Sequence, residues 1–289
     1  MANKKSQEIL AEEFLKFHHD KKILLLPNTW DIVTAKIYEK LGFKAIGTTS
    51  AGIAATIGYP DGQVMSLEEN LCVVKRIVEN TSIPINADIE SGYSTTVDGA
   101  VRAAEEAMDI GAVGINLEDS TGNTKNPFFE ISEVVERIKA IRSMANSKGI
   151  LLVINLRTDV YMLGKEGHAE KFKSTVKRAN MYATAGADCI FVPDTGDFNE
   201  QIITELVREI NAPLNIIAGP NIPPVQKLEE IGVSRLSFGP RPMRAMLALL
   251  VKMKKELLES GTYKTMFEDT ISYDEINSLL RKKLKEKSK

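Results

Sequence analysis

Residues 82–94 read SIPINADIESGYS. An apolar run leads into two carboxylates two positions apart, Asp88 and Glu90, and a Gly-Tyr pair then turns the chain. In a strand, residues i and i+2 share a face, so this spacing would set the two carboxylates side by side where a buried strand ends. Like charges at that distance repel and raise one another's pKa. The stretch therefore carries two expectations: a buried strand that feeds a helix, and a strand end that holds something positive.

The same punctuation recurs along the whole chain. Short apolar runs fall at 23–28 (ILLLPN), 45–50 (AIGTTS), 83–90, 113–119 (VGINLED), 150–158 (ILLVINLRT), 188–194 (DCIFVPD), 213–219 (PLNIIAG) and 234–240 (SRLSFGP). Between them lie amphipathic patterns such as LEENLCVVKRIVEN and FKSTVKRANMYATAG, several closing on the glycine expected past a helix C-terminus. Continuously apolar strands joined by crossover helices make a parallel sheet buried on both faces, and eight such units predict an α/β fold of the closed (β/α)8, TIM-barrel type. An open doubly wound sheet is the competing arrangement, but neither its G-x-G-x-x-G turn nor a P-loop is present. Residues 1–243 are assigned to the barrel. Residues 244–289 are assigned to extra C-terminal helices, because RAMLALLVKMKKELL and MFEDTISYDEINSLLRKKL exceed the eight that a barrel requires.

Composition narrows the partners. With 37 Lys+Arg against 39 Asp+Glu in 289 residues, the formal charge is -2, which argues against a nucleic-acid surface and for a small substrate. No apolar run approaches the roughly 18 residues of a membrane span, no signal-like leader is evident, and Cys72 and Cys189 fall inside a predicted helix and a predicted strand. A cytoplasmic enzyme without membrane association is expected. The Lys-rich end RKKLKEKSK reads as a solvated helix end without function.

In a barrel the catalytic groups gather where strands end and βα loops begin. Those points hold Asn28, Trp30 and Asp31; Ser50, Ala51 and Gly52; Asp88 and Glu90; Glu118 and Asp119; Asn155, Arg157 and Asp159; and Asn215. Three carboxylates on adjacent strands, Asp88, Glu90 and Glu118, suit a hard cation with oxygen ligands and retained waters, Mg²⁺ or alternatively Mn²⁺. A lone strand-end carboxylate serves more commonly as a helix cap or ion-pair partner, and Asp119 is read that way. The small residues after Ser50 let backbone N–H groups approach a carboxylate. Arg157 follows an apolar strand and needs an anionic partner, which could be a substrate carboxylate, Asp159 or Glu118. Only His18, His19 and His168 are available, none at a predicted strand end, so a Ser-His-Asp triad or a histidine zinc site has little material.

Taken in order, LPNTWD, TTSAGIAATIGYPDG, ADIESGYS, GINLEDS, NLRTD and GVSRLSFGP resemble the isocitrate lyase/phosphoenolpyruvate mutase superfamily across nearly the whole chain. The resemblance implies a Mg²⁺-dependent barrel that makes or breaks C–C or P–C bonds beside a 2-oxo acid through an enolpyruvate-like species. It assigns Ser50, Ala51 and Gly52 to the carboxylate-binding turn, Asp61 to the substrate-side aspartate, and Asp88, Glu90 and Glu118 to the metal. Arg157 becomes the grip on a second anionic group, with catalytic weight on Asp61, Glu118 and Arg157. Trp30 and Asn215 complete the substrate-binding set. The Lys-Lys/Arg-Cys-Gly-His loop of the isocitrate and methylisocitrate lyases is replaced by DSTGNTKNPFFE, in which Asn123, Lys125 and Asn126 are expected to form a gate. The function expected is C–C cleavage of a small 2-oxo or 2-hydroxy carboxylic acid. The alternatives are a P–C enzyme of the phosphoenolpyruvate mutase, phosphonopyruvate hydrolase or carboxyvinyl-carboxyphosphonate phosphorylmutase type, and a non-catalytic barrel that binds an oxo acid. A homo-oligomer, tetramer or dimer, is also implied.

Overall fold

The structure is a computed structural model that describes residues 4–281 apart from Thr195, with Lys4–Ser6 as backbone only. Residues 282–289 of the Lys-rich end lie outside the described residues. Nine parallel strand segments form one sheet: β1 Leu24–Leu26, β2 Asn28–Thr29, β3 Ile46–Thr48, β4 Ile85–Asp88, β5 Gly114–Glu118, β6 Val153–Arg157, β7 Cys189–Val192, β8 Leu214–Ile217 and β9 Arg235–Ser237. Their order, β1-β9-β8-β7-β6-β5-β4-β3-β2, begins and ends on neighbouring pieces of one stretch of chain. The barrel is thus the expected one, with one correction. The first predicted strand, 23–28, is broken at Pro27 into two segments, β1 pairing only with β9 and β2 only with β3. Proline has no N–H to give a ladder, whereas its carbonyl still accepts from Gly47 N at 2.9 Å.

Asn28, just past that break, fastens the seam. Its Oδ1 accepts from Phe238 N (2.9 Å) and Gly239 N (2.8 Å) beyond β9, and its Nδ2 donates to the Thr48 carbonyl of β3 (2.8 Å). One side chain therefore spans the two neighbours of the broken stave.

The crossover helices fall where the apolar periodicity places them, with α4 over Leu67–Asn80, α6 over Ile131–Ser147 and α8 over His168–Ala185. α4 opens on a full capping box, Ser66 with Glu69, which satisfies donors that a helix start leaves orphaned. The outer face of the sheet and the inner faces of these helices make one large apolar core. The N-terminal mouth of the barrel is closed by α1 (Lys4–Phe17), whose Phe14 lies against Leu24, Leu26 and Val153. Gly114 makes room for it, since a Cβ there would fall 2.5 Å from the Phe14 ring. Gln7 ties the plug down through Nε2 to the carbonyls of Met108 (2.7 Å) and Ala112 (3.0 Å).

The last long helix, Arg241–Ser260, starts directly after β9 rather than at residue 244, and none of its residues is buried. It leaves Met246, Leu247, Leu250, Val251 and Leu258 exposed. A short 3₁₀ turn (Lys264–Phe267) and a final helix (Tyr273–Leu280) follow in place of the continuous helix expected over 266–284. The final helix packs against the helix Ile32–Lys40, where Lys40 and Glu275 pair at 2.5 Å. Among the described residues no helix is long and apolar enough to cross a membrane.

The seam makes a direct prediction. Asn28→Ala removes three hydrogen bonds and strands buried backbone groups, so urea unfolding should report a loss of about 2–4 kcal/mol. A loss below about 0.5 kcal/mol would mean that the barrel closes without this side chain.

Candidate active site

At the C-terminal ends of the strands a cavity of about 380 Å³ opens into the barrel, and its walls include Ser50, Ala51, Asp61, Asp88, Asn116 and Arg157. Ser237, Gly239, Arg241 and Arg244 close its far side. A hollow at the opposite end of the barrel, lined by Phe17, Ile23, Leu25, Leu41 and Phe43, is apolar, and its Lys44 and Asp20 pair with each other at 3.6 Å. The strand-end carboxylates and arginines gather at the first.

Ser50 begins the helix Ser50–Ile57 directly after β3, with Thr49 as N-cap. The Ser50 N–H and Oγ–H both donate to Asp88 Oδ2, at 3.0 and 2.9 Å, and the Gly52 N–H donates to Thr49 Oγ1 at 3.4 Å. The expected carboxylate-binding turn is therefore largely occupied by its own chain. Ala51 lines the cavity and remains the position whose first-turn N–H is open to a ligand.

The expected geometry of the carboxylate pair needs correction. The strand ends at Asp88, and Glu90 lies in the following turn with a left-handed backbone, φ +49°, as do Gly92 (+87°) and Tyr93 (+51°). Glu90 is brought near by this turn and not by strand alternation. Its carbonyl accepts from Glu118 N (2.9 Å), and its Oε1 accepts from the Tyr93 hydroxyl (3.1 Å). Glu118 takes the Ser120 hydroxyl (2.5 Å) on one oxygen and Arg157 Nη1 (3.0 Å) on the other. Of the three predicted metal carboxylates, only Asp88 stands on the cavity wall. Among the described residues no three Asp, Glu, His or Cys side chains converge as a direct metal cage.

The carboxylates nonetheless crowd one another. Burial, then the charges of Asp88 and Asp61, push the Glu90 carboxyl up to about 7. Asp61 keeps a solvent-exposed face, and its pKa is raised by desolvation first and by Asp88 second. Burial also raises Glu118, opposed by the adjacent Arg157 guanidinium. The donor set of Asp88, Glu90 and Glu118 is all oxygen and negative, which is the donor chemistry of a hard divalent cation.

The open question of Arg157's partner is answered within the chain. It pairs with Asp159 at 2.5 Å and Glu118 at 3.0 Å while its side chain still reaches the cavity. Asp119, fully buried, accepts from Thr158 (2.8 Å), Asp159 N (3.0 Å), Arg178 (3.1 Å) and Tyr182 (3.1 Å), and is thus an ion-pair partner, though a buried one and not a helix cap. Two expected substrate contacts are displaced. Trp30 is buried in the outer core with its Cβ against Gly52, and Asn215 is fully buried beneath Ser237, whose hydroxyl it accepts at 3.2 Å. Asn123, Lys125 and Asn126 lie outside the deep cavity in a turn held by Lys125 N to Asn123 Oδ1 (2.9 Å) and Thr121 N to Pro127 O (2.9 Å). This turn borders a surface groove with Gly62, Gln63 and Tyr93.

Sequence reasoning passed over Asn116, Tyr93, Arg241 and Arg244. Asn116 sits mid-strand and so escapes a rule that inspects only strand ends. Arg241 immediately follows SRLSFGP and obeys that rule, whereas Arg244 opens the predicted C-terminal helix.

The chain has clear relatives in sequence and in fold. The family profile of phosphoenolpyruvate phosphomutase matches residues 14–258. An uncharacterised protein of Mycobacterium tuberculosis (strain CDC 1551 / Oshkosh) is 34% identical over 234 residues, covering 81% of this chain and 84% of that one. The 2-methylisocitrate lyase of Halalkalibacterium halodurans is 27% identical over 295 residues, covering 95% and 94%. Among solved structures, a protein of Burkholderia cenocepacia J2315 described as a candidate lyase/mutase superposes with a TM-score of 0.89 at 28% identity, over 96% of this chain and 98% of that one. The chain belongs to the phosphoenolpyruvate mutase family, and with it to the PEP mutase/isocitrate lyase superfamily.

Proposed function

We propose that the protein is a divalent-metal-dependent lyase that cleaves a C–C bond of a small 2-oxo or 2-hydroxy carboxylic acid. The observation that carries this reading is the crowding of carboxylates around Asp88, where burial and mutual repulsion raise the pKa of Asp61 and push that of Glu90 up to about 7, beside a cavity of substrate size. The substrate carboxylate fits the Ala51 N–H at the start of its helix. Mg²⁺ at Asp88 would supply a Lewis acid for the substrate's carboxylate and carbonyl oxygens. Asp61, with its raised pKa and its place on the cavity wall, is suited to hold or take the proton that bond cleavage requires. Because Arg157 is already paired with two carboxylates, Arg241 and Arg244 are the better grip for a second anionic group. The turn at Asn123–Asn126 is proposed to close over the neighbouring groove.

A turnover screen of purified protein with Mg²⁺ tests the reading. Oxaloacetate, methylisocitrate or a related acid should be cleaved; turnover of phosphonopyruvate alone would transfer the assignment to P–C chemistry. Tight oxo-acid binding without turnover would leave a binding barrel.

The electrostatics predict a pH signature. Glu90 is an acid whose folded pKa, about 7, lies above its ordinary value near 4.5, so the fold favours the proton. Its contribution is intact below about pH 4.5, is lost progressively as pH rises to about 7, and then levels, a loss on the order of 3 kcal/mol in the metal-free protein. Mg²⁺ should therefore raise the melting temperature more at pH 8 than at pH 5.5. Asp88→Asn keeps an oxygen for the Ser50 donors, so it should melt at or above wild type without Mg²⁺ and lose both the Mg²⁺ shift and activity. A wild type indifferent to Mg²⁺ at both pH values would remove the metal from the account.

The uncovered apolar face of Arg241–Ser260 supports an oligomer in which this helix packs on a neighbouring copy. Light scattering at micromolar concentration should give a dimer or tetramer, and Leu250→Glu should dissociate it; a monomeric wild type would refute the assembly.

A further inference from the structure

Beneath the cavity floor the barrel interior is polar. Arg235 on β9 is fully buried and has no carboxylate partner among the described residues. Its Nη2 faces Asn116 Oδ1 at 3.3 Å and its Nη1 faces His18 Nε2 at 3.4 Å. A guanidinium has donors and no acceptor, so whatever faces it must accept. This one rule sets the orientation of its neighbours. His18 must present a bare Nε2, so its proton sits on Nδ1 and is given to the Phe14 carbonyl at 2.8 Å. Burial, then the charge of Arg235, hold that ring neutral by lowering its pKa to about 3.

The amide of Asn116 must likewise turn its oxygen down. That oxygen also receives Asn155 Nδ2 at 2.7 Å and Asn86 Nδ2 at 2.9 Å, so three donors converge on it. Asn86 and Asn155, both fully buried, thereby spend their NH₂ groups and leave their own oxygens unpartnered. Flipping Asn116 would set its NH₂ against three donors, at a cost of several hydrogen bonds. Asn116 is also the member of the group that lines the cavity, and its Nδ2 is not among the buried unpartnered atoms.

We propose that Asn116 is a substrate-binding residue whose NH₂ is locked toward the cavity as a donor to a ligand oxygen, and that Arg235 is the positioning residue that locks it. The donor stands on the strand next to Asp88, with which Asn116 is in register, so the ligand oxygen it meets is the carbonyl or carboxylate oxygen of an oxo acid. This deepens the oxo-acid reading of the same cavity and rests on it. The buried cation also adds positive potential below the floor, which favours an oxygen that gains negative charge during reaction.

The test uses Asn116→Asp, an isosteric change. A carboxylate accepts from Arg235, Asn86 and Asn155 at least as well as the amide oxygen does, but presents the cavity with an acceptor. The variant should melt at or above the wild-type temperature, while oxalate binding in Mg²⁺, measured by calorimetry, weakens by about ten- to hundredfold, the worth of one hydrogen bond to a charged group. Arg235→Lys, which retains a donor-only cation, should keep more oxalate affinity than Arg235→Gln, which can accept and frees the amide to turn. A destabilised Asn116→Asp overturns the locked orientation, and unchanged oxalate affinity in that variant overturns the ligand contact. A stabilised Asn116→Asp in a protein whose wild type ignores oxalate upholds the orientation and overturns the oxo-acid reading.

Discussion

A ring of parallel strands has no edge only if its first stave can hydrogen-bond to both the second and the last, and here that stave is broken by Pro27. The loss of one N–H separates it into a piece that belongs to β9 and a piece that belongs to β3. Asn28 replaces the missing ladder contacts with side-chain ones. Everything else follows from closure. The ends of β3, β4, β5 and β6 are side by side in the sheet, and closure brings the end of β9 round to face them, so that Ser237 and Gly239 line one cavity with Ser50, Asp88, Asn116 and Arg157.

Inside that ring, charge is distributed by layer. The rim is negative, with Arg157 absorbed by Glu118 and Asp159, and Asp119 absorbed by Arg178. The layer below carries a buried guanidinium among asparagines, without a carboxylate partner among the described residues. A desolvated cation beneath a cluster of desolvated anions lowers the cost of both, because each sits in the other's field at low dielectric. A ligand entering the cavity thus meets carboxylates short of positive charge, a polarised amide on the floor, and two arginines on the far wall. Such a site suits a small acid that arrives with a cation.

Family membership and local geometry constrain different things. The superfamily shares a barrel on which C–C and P–C chemistry are both built, so the fold alone does not choose the bond. In this chain the loop after β5 lacks Cys and His, and its polar turn is tied down by its own side chains. Among the cavity carboxylates, Asp61 combines a raised pKa with a solvent-exposed face.

The amino-acid sequence by itself determined the architecture, because burial on both faces of a parallel sheet writes continuous apolar runs, and crossover helices write a 3.6-residue period, into any chain that folds this way. It also located the rim, since polar residues that end apolar strands are costly without a purpose; Asp88, Ser50 and Arg157 were legible for that reason, and Asp61 only through the family resemblance. Tertiary structure alone decided how those groups are used. Glu90 approaches Asp88 through a left-handed turn that strand periodicity does not describe, and Trp30 and Asn215 are buried by neighbours far away in sequence. Whether Arg157 was free or paired depended on the register of β5 with β6, which sets Glu118 opposite it. The orientation of Asn116 depended on a guanidinium 119 positions away. Hydrogen-bond polarity is a property of which donors and acceptors are made to face each other, and only the closed barrel brings them face to face.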